Sequence, residues 1–98
     1  MSNDAPLVPE VWEDVRRARP RGKRAPLKKA ILVEVCARAR RAPDEHGYGR
    51  LSYIEVAKYA GISRGLASQT VSDVCPGYSN GGVCAAKVDD CTREDILG

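Results

Sequence analysis

Arg64, Gly65, Ser68, Gln69 and Ser72 recur at spacings that set them on one side of a helix. Around a glycine they present a guanidinium, a carboxamide and two hydroxyls, the groups that hydrogen-bond to the edges of nucleic-acid bases. Arg64 matches the O6/N7 pair of guanine and Gln69 the N6/N7 pair of adenine, while Ser68 and Ser72 suit base edges or phosphates. Gly65 lets the start of such a helix approach a nucleic-acid backbone closely. A second set is cationic: Arg19, Arg21, Lys23, Arg24, Lys28 and Lys29 offer phosphate contact, or insertion into a minor groove, without reading sequence. Tyr53 and Ser63 complete the expected backbone-contact set.

Other chemistry is poorly supplied. The only histidine, His46, lies in the stretch DEHGYG beside Asp44 and Glu45, where it reads as a solvated side chain. No nucleophile has a partner at a recognisable spacing, and Gly81-Gly82 is not followed by the Lys and Ser/Thr of a phosphate-cradling loop. The expectation is therefore a protein that is not an enzyme and needs no cofactor. The four cysteines, Cys36, Cys75, Cys84 and Cys91, form no Cys-x-x-Cys pair. Cys36 falls on an apolar helix face and reads as a free buried thiol. For the others, a disulfide from Cys75 or Cys84 to Cys91 is one alternative. Another is a structural zinc held by Cys75, Cys84 and Cys91 with His46 or Cys36. A cytosolic chain normally stays reduced unless its host is a hyperthermophile.

The elements that must position these residues follow from periodicity and punctuation. Pro9 can open a helix in which Val11, Trp12, Val15 and Ala18 share a face before Pro20 interrupts. RPRGKRAP, residues 19–26, reads as a flexible basic linker. From Leu27 to Arg41, Leu27, Ile31, Leu32, Val35, Cys36 and Ala39 recur at three and four, which predicts an amphipathic helix. A loop over about 42–50 and a short segment 50–52 lead to a two-turn helix over 53–60. Ser52 and Glu55 would cap it as a capping box. Gly61 ends that helix, Ser63 caps the next, and Ala67, Val71 and Val74 mark the buried face of that helix until Pro76. Two short extended pieces around a turn at 79–82 and a last helical turn over 92–97 complete the chain. It divides into 1–26, a short helix plus basic arm, and 27–98, one helical DNA-binding unit.

Within 53–74, Val56, Ala57, Tyr59, Ala60, Gly61, Ile62 and Ser63 resemble the helix-turn-helix of the lactose-repressor family. The resemblance covers about a fifth of the chain. Such a motif wants a small residue where the second helix crosses the first, supplied by Ala57, and positive φ at the turn, supplied by Gly61. Ile62 would fill the angle between the helices. In that family the motif opens the chain, whereas here roughly fifty residues precede it and about 24 follow, so a full repressor of that type is not expected. Thr70 stands where such motifs place an apolar residue. The order of helix, short extended piece, motif and two-piece tail implies a mainly α fold, winged-helix-like, with a short C-terminal β-hairpin.

Length and charge bound the function. Ninety-eight residues, 43% hydrophobic and 30% charged, suit one soluble domain, with no Phe and a single Trp to build the aromatic core. No run nears the roughly eighteen apolar residues of a membrane span, so a cytoplasmic protein without membrane contact is expected. The net charge of +3 conceals a block over 16–41 with eleven bases against Glu34, as expected of a polyanion-binding surface. The expected function is a sequence-specific binder of double-stranded DNA, regulating transcription as a homodimer through Trp12 and Val15, with no small-molecule effector. A non-specific architectural or replication-associated DNA binder is one alternative. A protein-interaction adaptor that uses the helical pair to hold its partner is another.

Overall fold

The computed structural model describes residues 6–18 and 25–91. Pro9 opens helix α1 (Pro9–Ala18), where the missing N–H would have had no intrahelical acceptor. Helix α2 (Ala25–Arg41) begins two residues earlier than periodicity predicts. Pro26 lies in its first turn, where the proline ring is tolerated, so the residues expected to close the linker belong to the helix instead. Arg19, Arg21, Lys23 and Arg24 lie outside the described residues, as does the last helical turn expected over 92–97.

α2 is the central element. Leu27, Ile31, Leu32, Val35, Cys36 and Ala39 are buried as their spacing predicts, but so are Ala30, Glu34 and Ala37. The helix is enclosed on several sides, because α1, the sheet and the last helix each pack against it. After a loop, strand β1 (Gly49–Ser52) runs straight into helix α3 (Tyr53–Ala60), which is followed by helix α4 (Arg64–Val74). Strands β2 (Tyr78–Asn80) and β3 (Val83–Ala86) form a hairpin, and a 3-10 turn covers Val88–Asp90. β3 is the middle strand, antiparallel to both neighbours, with Leu51 opposite Cys84 and Tyr78 opposite Ala85. The chain is thus mainly helical, with a small three-stranded sheet in the winged-helix-like order helix, strand, two helices, hairpin.

Alternation along β1 buries Leu51 and exposes Arg50, so one sheet face joins a core of Trp12, Ile31, Val35, Val56 and Val71. Trp12 is wholly buried and meets the Tyr59 ring edge-on at 5.4 Å. This corrects the expected dimer contact: Trp12 and Val15 face the core of their own chain and are not available to a second copy. α1 is held at its end as well, where Arg16 Nη1 donates to the Tyr59 carbonyl at 2.7 Å.

The cysteines are paired as Cys36–Cys91 and Cys75–Cys84, which replaces each of the expected arrangements. Cys36 is buried as its helix face requires, yet it is a half-cystine and not a free thiol, because the chain after β3 returns to α2 with the Cα atoms 5.9 Å apart. The pairs Cys75–Cys91 and Cys84–Cys91 do not occur, and the zinc set is split between two disulfides. Among the described residues no group of three or more His, Cys, Asp or Glu side chains could hold a metal ion. None of the described helices is long and apolar enough to cross a membrane.

Candidate nucleic-acid interface

The helix pair is built by short-range chemistry. Ser52 caps α3 by accepting from the Glu55 N–H at 3.3 Å, and the Glu55 carboxylate accepts from the Ser52 N–H at 3.2 Å. Two of the N–H groups that a helix start leaves unpaired are thereby satisfied. Gly61 ends α3 with φ 69° and ψ 39°, the left-handed conformation that costs a side chain but not glycine. Its N–H and that of Ile62 both donate to the Ala57 carbonyl, at 2.9 and 3.1 Å. Ile62 is half-buried and packs against the core. Ser63 restarts the chain as a helix by accepting from the Leu66 N–H at 3.2 Å.

On α4, Ala67, Thr70 and Val71 face inward. The polar residue at the apolar position 70 is accommodated because its hydroxyl donates to the Leu66 carbonyl at 2.8 Å, so no buried polar atom is stranded. Arg64, Gly65, Gln69 and Ser72 are exposed together with Asp73, an acid that the sequence reading did not place on this surface. A Cβ added at Gly65 would meet nothing within 4 Å, so the helix start faces open space. Ser68 differs from its neighbours. It is half-buried, because the turn of the β2–β3 hairpin lies against it.

That turn is two residues long, Gly81-Gly82, with φ of 64° and 84°. Both angles are positive, as the tightest hairpin connections require. A Cβ at Gly82 would collide with the Tyr53 ring, and the Gly82 carbonyl accepts from the Tyr53 N–H at 2.9 Å. Tyr53, expected to reach toward a nucleic-acid backbone, is therefore half-buried and holds the hairpin tip against the start of α3. Ser63 is exposed, with its hydroxyl engaged in capping, and Lys28 and Lys29 are exposed in the first turns of α2.

Between α2 and the elements α1, β1 and α3 lies a polar cluster that periodicity did not disclose. Glu34 is wholly buried and accepts four hydrogen bonds, from Leu7 N–H at 2.9 Å, Val8 N–H at 3.1 Å, Trp12 Nε1 at 3.2 Å and Arg38 Nε at 3.1 Å. Arg38 uses its remaining donors on the Arg50 carbonyl at 2.7 Å, both Glu55 oxygens at 3.1 and 2.9 Å, and the Tyr59 hydroxyl at 3.0 Å. Burial opposes the Arg38 charge, but the hydrogen bond and charge of Glu55, with Tyr59 and Glu34, outweigh it and raise its pKa above the ordinary value. Burial likewise opposes ionised Glu55, and hydrogen bonds from Arg38 and Ser52 overcome it, so its pKa is lowered. The same Glu55 thus caps α3 and anchors it to α2. The one signal in the sequence was Glu34 itself, the only acid among eleven bases and four residues before Arg38.

A cleft of about 300 Å³ adjoins this cluster, lined by Leu7, Arg38, Ala42, Asp44, Tyr48, Arg50 and Glu55. Its charges are already matched within the chain. Arg50 Nε donates to Asp44 at 2.7 Å, and that bond, with the Tyr48 N–H, holds the Asp44 carboxyl down at about 2. His46 is exposed in the same loop, 3.7 Å from Glu45. No family model matches the chain, and neither a curated protein nor a solved structure does.

Proposed function

We propose that this chain binds double-stranded DNA sequence-specifically and regulates transcription, with α4 lying in the major groove. One observation carries the reading. The left-handed turn at Gly61 crosses two short helices so that Arg64, Gln69 and Ser72 project outward while Ala67, Thr70 and Val71 seal the core. In the groove, Arg64 pairs with guanine and Gln69 with adenine. Ser68 and Ser72 reach base edges or phosphates, with Ser68 also steadying the hairpin tip. Lys28, Lys29 and the bases over 19–24 supply salt-dependent attraction to phosphate. Two copies on two half-sites would multiply the few base contacts one short helix can make, through a surface other than the Trp12 face. A cytoplasmic site of action further implies a host whose cytoplasm tolerates structural disulfides, as in hyperthermophiles.

Binding-site selection from random duplexes, followed by comparison of Gln69→Ala with the double change Arg21→Ala and Arg24→Ala, tests the proposal. The first change should erase discrimination at one base pair, and the second should weaken binding to all duplexes and flatten its salt dependence. Selection that enriches no sequence would remove the specific reading. A second reading, a non-specific DNA-binding protein, draws on one observation: α4 exposes a single guanidinium at its start and the acidic Asp73 at its end, while most of the positive charge lies over 16–41. It predicts equal loss of affinity for every duplex in the Arg21/Arg24 variant and no effect of Gln69→Ala.

A further inference from the structure

We infer that the Cys75–Cys84 disulfide is a reducible clamp on the DNA-reading surface, an inference that rests on the α4 reading above. Cys75 is the C-cap of α4, and its N–H still donates to the Val71 carbonyl at 3.0 Å. Cys84 lies in the middle strand, opposite Leu51 on one side and Ser79 on the other. The bond therefore ties the end of the proposed recognition helix to the middle of the short hairpin whose tip rests on Tyr53 and Ser68. Between the two half-cystines run Pro76, Gly77 and β2, a three-residue edge strand with Tyr78 63% exposed. Non-covalent attachment of this segment consists of the short ladder to β3, the close approach of Gly77 to Ala85 and Ala86, and the hairpin tip on Tyr53 and Ser68.

The two disulfides differ in access. Cys36 and Cys91 are each 1% exposed and Cys84 is fully buried, whereas Cys75 is partly open to solvent. A dithiol reductant thus has one sulfur within reach. One of its thiolates attacks Cys75 Sγ, the S–S bond breaks, and the Cys84 sulfur leaves with the electron pair and takes up a proton. The second thiol of the reductant then attacks the mixed disulfide and releases Cys75 as a thiol. The reductant departs as its own disulfide, having given two electrons and two protons. With the tether gone, the last turn of α4 and the edge strand β2 are no longer held together, while β3 stays paired with β1. Ser72 and the exposed hairpin tip at Asn80 and Gly81 then no longer share one fixed geometry, and preorganised binding is lost.

The test titrates the oxidised protein with dithiothreitol, alkylates it, maps the opened pair by mass spectrometry and measures affinity for a selected duplex by fluorescence anisotropy. Cys75–Cys84 should open at lower dithiol than Cys36–Cys91, affinity should fall about tenfold, and reoxidation should restore it. The double variant C75A/C84A should bind at the reduced level at every dithiol concentration that leaves Cys36–Cys91 closed. Should that variant fail to fold, parent protein with Cys75–Cys84 reduced, held in dithiol without alkylation and with Cys36–Cys91 intact, gives the same comparison. Cys36–Cys91 opening first, or unchanged affinity once Cys75–Cys84 is open, overturns the clamp and leaves the α4 reading standing. Oxidised protein that binds no duplex at all overturns both.

Discussion

The α3–α4 pair and the packing around α2 are held in different ways. In the helix pair the decisive bonds span three or four residues: Ser52 with Glu55, Gly61 with Ala57, Ser63 with Leu66, and Thr70 with Leu66. Around α2 they span far more: Trp12 to Glu34 over 22 residues, Arg16 to Tyr59 over 43, and Cys36 to Cys91 over 55. The first region can assemble its shape from local chain preferences. The second exists only once distant segments have met, and it is what gives the helix pair a surface to stand on. Arg38 and Glu55 are the hinge between the two regimes, because one carboxylate serves a local cap and a long-range ion pair.

If that contrast is right, Glu34→Ala should be the costliest single change. It strips the acceptor from a buried indole N–H, two backbone N–H groups and Arg38. A stability loss of about 3–5 kcal/mol is expected, read from the urea midpoint. A loss below that of any α3–α4 change would break the comparison. Gly61→Val comes next, because a β-branched residue resists the left-handed conformation. About 2 kcal/mol should go, and duplex affinity with it, since the crossing of α3 and α4 depends on that turn.

Acid sharpens the comparison at the junction. The folded-state pKa values of Glu55 and Asp44 lie below their ordinary values, so the unfolded chain takes up protons first. Their contribution is intact above the ordinary carboxylate range and drains as pH falls through and below it, for Asp44 toward about 2. Urea midpoints measured across that window should decline, and Glu55→Gln should flatten the decline while lowering the midpoint at neutral pH. Smallest is Ser63→Ala, which removes a local cap on α4 and should cost about 1 kcal/mol by the same measurement. An effect as large as that of Glu34→Ala would show that the helix pair is not locally secured.

Much of this molecule was legible in its residues for one reason: a periodic pattern and a capping residue report on neighbours three or four positions away. That distance covers Ser52, Gly61 and Ser63, so the helix pair, its outward row of Arg64, Gln69 and Ser72, and the two-piece tail follow from order alone. The same pattern says that a face is apolar without saying what meets it. Trp12 and Val15 were an exposed contact by pattern and a core by packing. Cys36 was rightly buried, while its partner depended on where residue 91 returned. Ser68 was outward by helical geometry and Tyr53 an expected backbone contact, and both are partly covered because a hairpin ten or more residues away folds its tip onto them. Contact between segments far apart in the chain is set by the total fit of a core, and no local spacing encodes it. Tertiary structure alone therefore decided the Glu34–Arg38–Glu55 cluster, the disulfide pairing and the resting place of the hairpin.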